Sequence, residues 1–143
     1  METTLGSILK EKQAVLYTVT PEATVEDAVK VMVEGGVGCV LILNQGRLEG
    51  LFTERDLMHR VVYAGLDAGQ TAVEEVMTRE IATVSPAVTV NEAMALCTEK
   101  RLRHLPVYER DTLVGIVSSG DLTKSSVREQ QHTIDDLIKY ISG

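Results

Sequence analysis

The hydrophobic and polar positions of the chain repeat at one fixed offset. A shift of 65 residues places Thr18–Pro21 on Thr83–Pro86, and the register continues without a gap to Leu57 on Leu122. Eleven of the 40 aligned positions carry identical residues, which in the first copy are Thr18, Val19, Pro21, Thr24, Val25, Ala28, Glu34, Leu48, Gly50, Asp56 and Leu57. A duplication of this length predicts two copies of one supersecondary unit.

Each copy contains the signature of an amphipathic helix. Thr24 and Thr89 are followed three residues later by the acids Asp27 and Glu92, which is the capping-box pattern of a helix start. Apolar residues then recur at i, i+3, i+4 and i+7, the spacing of one helix face. These residues are Val25, Ala28, Val29 and Met32 in the first copy and Val90, Ala93, Met94 and Cys97 in the second.

Short runs of strand-forming residues surround this helix in each copy. The runs are Val15–Val19, Cys39–Leu43 and Leu48–Phe52 in the first copy, and Ile81–Val84, Leu105–Tyr108 and Leu113–Val117 in the second. Turn residues separate the last two runs of each copy, which predicts a hairpin. Thr53–Asp56 and Ser118–Asp121 then open a further helix by the same capping pattern. Each copy is therefore predicted to be β-α-β-β-α, and the fold class is α+β.

A turn-rich linker separates the two copies at residues 64–70, and Thr71 with Glu74 predicts a short helix with its own capping box. We place the first repeat, with the N-terminal segment, at 1–66 and the second repeat, with a C-terminal helix, at 67–143. A unit of about 60 residues buries its sheet poorly on its own. The repeats are therefore expected to pack as a pseudo-twofold pair with a cleft at their junction.

Composition argues against several classes of function. The net charge of −7 disfavours a nucleic-acid partner, because phosphate backbones are bound by clustered Lys and Arg. The sequence has no apolar run of the ~18 residues that a spanning helix needs and no signal-peptide pattern, so we expect no membrane contact and a cytoplasmic location. Cys39 and Cys97 are expected to be free buried thiols, with a disulfide or metal site as the alternative. The spacing of the three histidines predicts no metal site.

The motifs of both copies resemble those of one known family. In the second copy these are Val76–Thr78, Thr83–Pro86, Arg103–Val107 and Gly115–Leu122, and in the first copy Gly50–Leu57 carries the likeness. This pattern is similar to the cystathionine-beta-synthase (CBS) domain, and it covers nearly the whole chain.

The resemblance implies a regulatory module rather than an enzyme. Such repeat pairs are expected to dimerise into a disc and to bind adenosine-containing ligands in clefts between the sheets. The expected ligand is AMP, ADP, ATP or NAD(H), with S-adenosylmethionine ranked below them, and no catalytic cofactor is implied. Homodimerisation and an unidentified regulated protein are expected as partners. The alternatives are a structural interaction module with empty clefts and, ranked last, an enzyme.

Two carboxylates are the candidate ribose ligands. Asp56 and Asp121 are able to accept hydrogen bonds from both ribose hydroxyls, while Thr53 and Ser118 lie at helix starts that suit phosphate. The resemblance adds backbone contacts to the base from the segment that precedes each opening strand. These segments supply Lys12, Ala14 and Val15 opposite Asp121, and Thr78 and Ile81 opposite Asp56. A purely structural capping role for the two Thr/Ser–Asp pairs stays open.

The two candidate sites differ in charge. The strand entering the Asp121 site carries Arg103, His104 and Pro106, where the Asp56 site has Gly38 and Cys39 at the first two of these positions. Arg103 is the candidate phosphate clamp, because its planar fork matches phosphate oxygens, although a solvated surface role is the alternative. Arg55 supplies some positive charge at the Asp56 site. We therefore expect the Asp121 site to bind phosphate more tightly.

An apolar stripe follows the second repeat. It consists of Val127, Ile134, Leu137, Ile138 and Ile141 on a C-terminal helix. Either the N-terminal residues Leu5, Ile8 and Leu9 cover this stripe within the chain, or a partner subunit does.

Overall fold

The structure is a computed structural model that describes residues 2–13 and 15–142. The chain forms two compact units, one made of Val15–Ile81 and the other of Met1–Ala14 with Ala82–Gly143. The predicted boundaries, 1–66 and 67–143, follow the order of the repeats along the chain. The compact units instead group the N-terminal segment with the second repeat and residues 67–81 with the first.

The unit Val15–Ile81 is a three-stranded sheet with helices. Strand β1 (Thr18–Val19) runs parallel to β2 (Cys39–Asn44), which pairs with β3 (Arg47–Thr53) as an antiparallel hairpin. Helix α2 (Val25–Gly35) lies between β1 and β2 in the chain, and the short helix α3 (Glu54–Asp56) follows β3. The chain continues directly into a π-helical segment, Leu57–Val62, and later forms a 3-10 turn, Val73–Glu75. The core is formed by Val25, Ala28, Met32, Val40, Ile42, Phe52, Val61, Val73, Val76 and Met77.

The second unit repeats this pattern, begins with an additional helix and ends in a much longer one. Helix α1 (Leu5–Glu11) precedes α4 (Val90–Lys100), the antiparallel hairpin of β4 (His104–Glu109) and β5 (Thr112–Ser118), and the long helix α5 (Ser119–Ser142). The core is formed by Leu5, Ile8, Leu9, Val90, Ala93, Cys97, Leu105, Val107, Val117 and Leu122. Both hairpins, both amphipathic helices and the α+β class are therefore confirmed.

Helix α1 is part of this core and not a cover for the C-terminal stripe. Leu5, Ile8 and Leu9 are at most 8% exposed, and Leu5 N–H donates to the Val88 carbonyl oxygen at 2.9 Å. The five apolar residues of the stripe on α5 keep between 49% and 81% of their surface exposed. The prediction that the N-terminal residues cover the stripe is therefore wrong, because those residues are used to complete the core beside α4.

The opening strand of the second copy is reduced to one bridge. Val84 pairs with Val107 only, whereas β1 of the first copy forms a two-residue ladder. In the first copy Leu41 N–H donates to the Tyr17 carbonyl oxygen at 2.9 Å. The position 65 residues later is Pro106, which has no N–H to donate. The predicted strands Val15–Val19 and Ile81–Val84 are thus longer than the observed pairing.

Two of the predicted capping boxes open the amphipathic helices α2 and α4, and the box predicted in the linker does not form. Thr24 with Asp27 and Thr89 with Glu92 form reciprocal capping boxes at the starts of α2 and α4. The box predicted for Thr71 and Glu74 is wrong, because the N-cap position of the 3-10 turn is Ala72 and no side chain caps it. The Thr71 hydroxyl instead donates to the Asp67 carbonyl oxygen at 2.8 Å and ties the linker to itself.

The structure also describes the two cysteine thiols and the character of the helices. Cys39 and Cys97 are free and buried, as predicted. No helix among the described residues is long and apolar enough to cross a membrane.

Candidate functional site

Both candidate carboxylates form capping boxes at the start of a helix. In the first copy Thr53 N–H donates to Asp56 Oδ2 at 3.0 Å, and Asp56 N–H donates to Thr53 Oγ1 at 3.1 Å. In the second copy Ser118 N–H donates to Asp121 Oδ2 at 2.9 Å, and Asp121 N–H donates to Ser118 Oγ at 3.1 Å. The capping role is therefore confirmed in both copies. A ligand role depends on what else each carboxylate contacts.

One backbone hydrogen bond joins the strand entry to the helix start in each copy. Glu54 N–H donates to the Gly38 carbonyl oxygen at 3.0 Å, and Ser119 N–H donates to the Arg103 carbonyl oxygen at 2.8 Å. Cross-strand pairing then places Cys39 opposite Thr53. The residues predicted around each carboxylate are thus neighbours on a strand-to-helix junction.

In the second copy, the same pairing places His104 opposite Ser118 and Pro106 opposite Ile116. We call the two arrangements the Asp56 junction and the Asp121 junction. The Asp56 junction comprises Gly38, Cys39, Thr53 and Asp56, and the Asp121 junction comprises Arg103, His104, Ser118 and Asp121.

The Asp56 junction is closed by Thr78. The Thr78 hydroxyl is 2.9 Å from Asp56 Oδ1 and 3.0 Å from Oδ2, and Arg60 Nε lies 3.7 Å from Oδ1. The backbone of Thr78 exchanges hydrogen bonds of 2.7 and 2.9 Å with Leu51. Asp56 is only 5% exposed as a result. The resemblance implied that Thr78 lies opposite Asp56. The structure has Thr78 beside Asp56, held by its side chain as well as its backbone.

The Asp121 junction is closed by a lysine instead. Lys12 Nζ donates to Asp121 Oδ2 at 2.8 Å and to the Ile116 carbonyl oxygen at 2.9 Å. The side chains of Lys12 and Asp121 remain 35% and 26% exposed. Within residues 2–13 and 15–142, the Lys12 ammonium group and the Ser118 N–H both bond to Oδ2 of this carboxylate.

One group in each junction, Asp121 in one and Cys39 in the other, has a pKa shifted by its surroundings. Burial alone would raise the pKa of Asp121, but the hydrogen bonds from Lys12 and Ser118 outweigh it and lower that pKa. Burial, with a smaller contribution from the charge of Asp56, raises the pKa of the Cys39 thiol to about 12. Cys39 is therefore a neutral wall of the Asp56 junction rather than a nucleophile.

The remaining predicted site residues lie at the margins of the junctions. Arg55 is exposed in the first turn of α3, and Arg103 is exposed where the chain enters β4. Val15 is 63% exposed, and Ile81 is half-buried. Ala14 lies outside the described residues. The ligand roles of all these residues stay predictions.

Two residues near Asp56 were not predicted from the sequence. Arg60 lies four residues after Asp56 on the same helical segment, a spacing that sequence reading can use to find an ion pair. Glu54 faces Gly38, since a Cβ atom built on Gly38 would lie 3.2 Å from Glu54 Oε1. Glu54 has Ser119 as its counterpart in the second copy and Arg55 has Gly120, so the start of α3 carries one acid and one base that the start of α5 lacks.

The chemistry of both junctions is that of hydroxyl and anion recognition. Each offers an aspartate as acceptor beside a helix N-terminus, where the helix dipole favours negative charge. No group of three or more His, Cys, Asp or Glu among the described residues is arranged to hold a metal ion.

Comparison with known proteins identifies the repeated unit. The family model of the CBS domain matches the chain twice, at residues 12–63 and 73–128. The CBS domain-containing protein YhcV of Bacillus subtilis is 35% identical over 126 residues, which cover 88% of this chain and 89% of that protein.

Solved structures agree with this match. A protein with CBS domains from Burkholderia ambifaria MC40-6, provisionally assigned to signal transduction, is 41% identical with a TM-score of 0.85, over 90% of this chain and 96% of that one. The hexameric CBS-CP12 protein from bloom-forming cyanobacteria is 29% identical with a TM-score of 0.78, over 88% of this chain and 73% of that one. The chain therefore belongs to the CBS domain family and contains two copies of its repeat.

Proposed function

We propose that the protein is a regulatory module that binds an adenosine-containing nucleotide at the Asp121 junction and signals its presence to a partner protein. AMP, ADP, ATP and NAD(H) are the proposed ligands, ahead of S-adenosylmethionine. Binding, and not catalysis, is the proposed activity. The cytoplasmic location stays a prediction.

The observation that carries this proposal is the recurrence of one arrangement in both copies. A carboxylate lies in the first turn of a helix, a hydroxyl residue caps that helix, and the strand-entry backbone is bonded to the same turn. A helix cap alone does not require the hydrogen bond to the strand-entry backbone. A ribose and a phosphate on one ligand match the carboxylate and the helix start together.

Charge favours the Asp121 junction for the phosphate. Lys12 forms an ion pair with Asp121. The carbonyl oxygen of Arg103 accepts a hydrogen bond from the Ser119 N–H at the start of α5. The start of α3 carries Glu54 beside Gly38, which repels an anion. The two copies are therefore proposed to bind phosphate unequally.

Thermal melting with a ligand panel tests the proposal. A ligand at 100 times its dissociation constant should stabilise the folded protein by about 2.7 kcal/mol if it binds only that form. We expect a raised melting temperature with at least one of AMP, ADP, ATP, NAD or NADH. No shift with any of them, or with S-adenosylmethionine, would contradict the proposal, and turnover of any of them would contradict the assignment of a binding role alone.

Matched variants locate the site. Asp121→Asn removes the charge but keeps an acceptor for the capping bond, and Asp27→Asn does the same in the capping box of α2. We expect Asp121→Asn to weaken nucleotide binding at least tenfold and Asp27→Asn to leave it unchanged. A larger loss from Asp56→Asn than from Asp121→Asn would reject the preference for the Asp121 junction.

We further propose that the apolar stripe on α5 is a contact between copies of the chain. Every residue from 130 to 142 is exposed, and the five apolar residues of the stripe lie among or just before them. The hexameric cyanobacterial relative supports self-association. Light scattering at micromolar concentration should show a dimer or larger assembly, and Ile138→Asp should reduce it to a monomer. A monomeric wild-type protein would contradict this part of the proposal.

The alternative is an interaction module without a physiological nucleotide. The Asp56 junction favours it for the first copy, because the carboxylate is 5% exposed and both of its oxygens already accept hydrogen bonds from the chain. The melting experiment separates the two functions.

A further inference from the structure

The ammonium group of Lys12 binds the carboxylate of Asp121, which is the group proposed to accept hydrogen bonds from a ribose. It lies 2.8 Å from Asp121 Oδ2 and 2.9 Å from the carbonyl oxygen of Ile116. Asp121 belongs to the Asp121 junction at the start of α5, and Ile116 lies near the end of β5. A ligand that uses both oxygens of Asp121 must therefore displace Lys12.

The first copy does not impose this requirement. The position 65 residues after Lys12 is Met77, which is 3% exposed in the core of its own unit. The carboxylate of Asp56 instead accepts a hydrogen bond from the neutral hydroxyl of Thr78 at 2.9 Å. A cation within hydrogen-bond distance of the carboxylate is thus a property of the second copy, since Arg60 Nε stays 3.7 Å from Asp56 Oδ1.

We propose that Lys12 is a specificity-determining residue that makes the Asp121 junction select phosphorylated adenosine ligands over adenosine itself. This inference rests on the proposed function. A nucleotide supplies a phosphate that pairs with the ammonium group once the ribose has displaced it. Adenosine offers no such partner, so its ribose must compete with the ion pair. The long flexible stem and 35% exposure of Lys12 allow the side chain to turn from the carboxylate to a phosphate.

Isothermal titration of AMP and adenosine into Lys12→Met tests this inference. Methionine removes the charge and keeps a long unbranched side chain. We expect adenosine to bind up to about fivefold more tightly, because a partly exposed ion pair no longer opposes it. AMP should bind more weakly, because the phosphate loses its cation. The preference for AMP over adenosine should fall about tenfold.

Lys10→Met is the matched control, since Lys10 is an exposed lysine in the last turn of α1. It removes the same charge, and we expect it to leave the preference within about twofold of wild type. Salt gives a second readout, because screening weakens the ion pair. Adenosine should bind the wild-type protein more tightly as salt rises, and this trend should disappear in Lys12→Met.

The outcomes separate this inference from the function on which it rests. Wild-type binding of AMP with an unchanged preference in Lys12→Met would overturn the role of Lys12 and leave the proposed function intact. A wild-type protein that binds neither compound would overturn both.

Discussion

The two copies hold the same carboxylate in opposite ways. Asp56 is buried and accepts hydrogen bonds from the neutral Thr78 hydroxyl and the Thr53 backbone N–H, while Arg60 Nε lies farther away at 3.7 Å from Oδ1. Asp121 is partly exposed, and its strongest partner is the charged Lys12. A buried carboxylate that accepts hydrogen bonds from neutral groups is costly to leave without them, whereas a partly exposed ion pair is weak and exchangeable. The duplication has therefore produced one junction suited to stability and one suited to exchange with a ligand.

Removing each carboxylate should show this difference most strongly. Asp56→Ala leaves the Thr78 hydroxyl and the Thr53 N–H unpaired in a buried place, so we expect a loss of about 3 kcal/mol in the free energy of unfolding. Asp121→Ala should cost about 1 kcal/mol, because water reaches the groups that it leaves. Urea denaturation of both variants measures the difference. Equal losses would remove the distinction between the junctions.

The glycines at the same position of β3 and β5 should respond unequally. A Cβ atom on Gly50 would lie 2.8 Å from the Thr78 carbonyl oxygen and 2.6 Å from Met77 Sδ. A Cβ atom on Gly115 would lie 2.7 Å from Leu9 Cδ2, the end of a side chain that is able to shift. We expect Gly50→Ala to cost about 2 kcal/mol in unfolding free energy and Gly115→Ala about 1 kcal/mol or less.

Thermal melting of this glycine pair checks the order. A larger loss from Gly115→Ala would mean that the segment carrying Leu9 is held more rigidly than the one carrying Thr78.

The smallest expected effect is on acid stability. The pKa of Asp121 is lowered in the folded protein, so its stabilising contribution is present above the unfolded pKa of about 3.9 and is lost as pH falls through the lowered folded value. Lys12→Met should raise this pKa toward its ordinary value and make unfolding begin at a slightly higher pH. Carboxyl NMR measures the pKa directly, and no change would show that Lys12 contributes little to the charge of the junction.

Local features of the fold were predictable from the sequence. The offset repeat, the two hairpins and the capping boxes at Thr24, Thr53, Thr89 and Ser118 depend on residues close together in the chain. Even the loss of an opening strand traces to one visible residue, Pro106, although its effect follows only once the strand register is known.

Features that join distant residues were not predictable in detail. Lys12 and Asp121 are 109 residues apart in sequence, and the resemblance predicted their proximity without the ion pair. The three apolar residues of α1 fit either a core or the stripe on α5 by pattern alone, and only the packing beside α4 decides between them. Thr71 matches the capping-box pattern, yet its hydroxyl bonds to Asp67, because side chains of this type have competing local partners.

Amide NMR during titration with AMP shows whether the nucleotide binds at the Asp121 junction. We expect the largest shifts at the backbone amides of Ser118, Ser119 and Asp121, with smaller shifts at Thr53 and Asp56. A spectrum that stays unchanged at millimolar AMP, or one in which the amides of the Asp56 junction shift more than those of the Asp121 junction, would contradict this expectation.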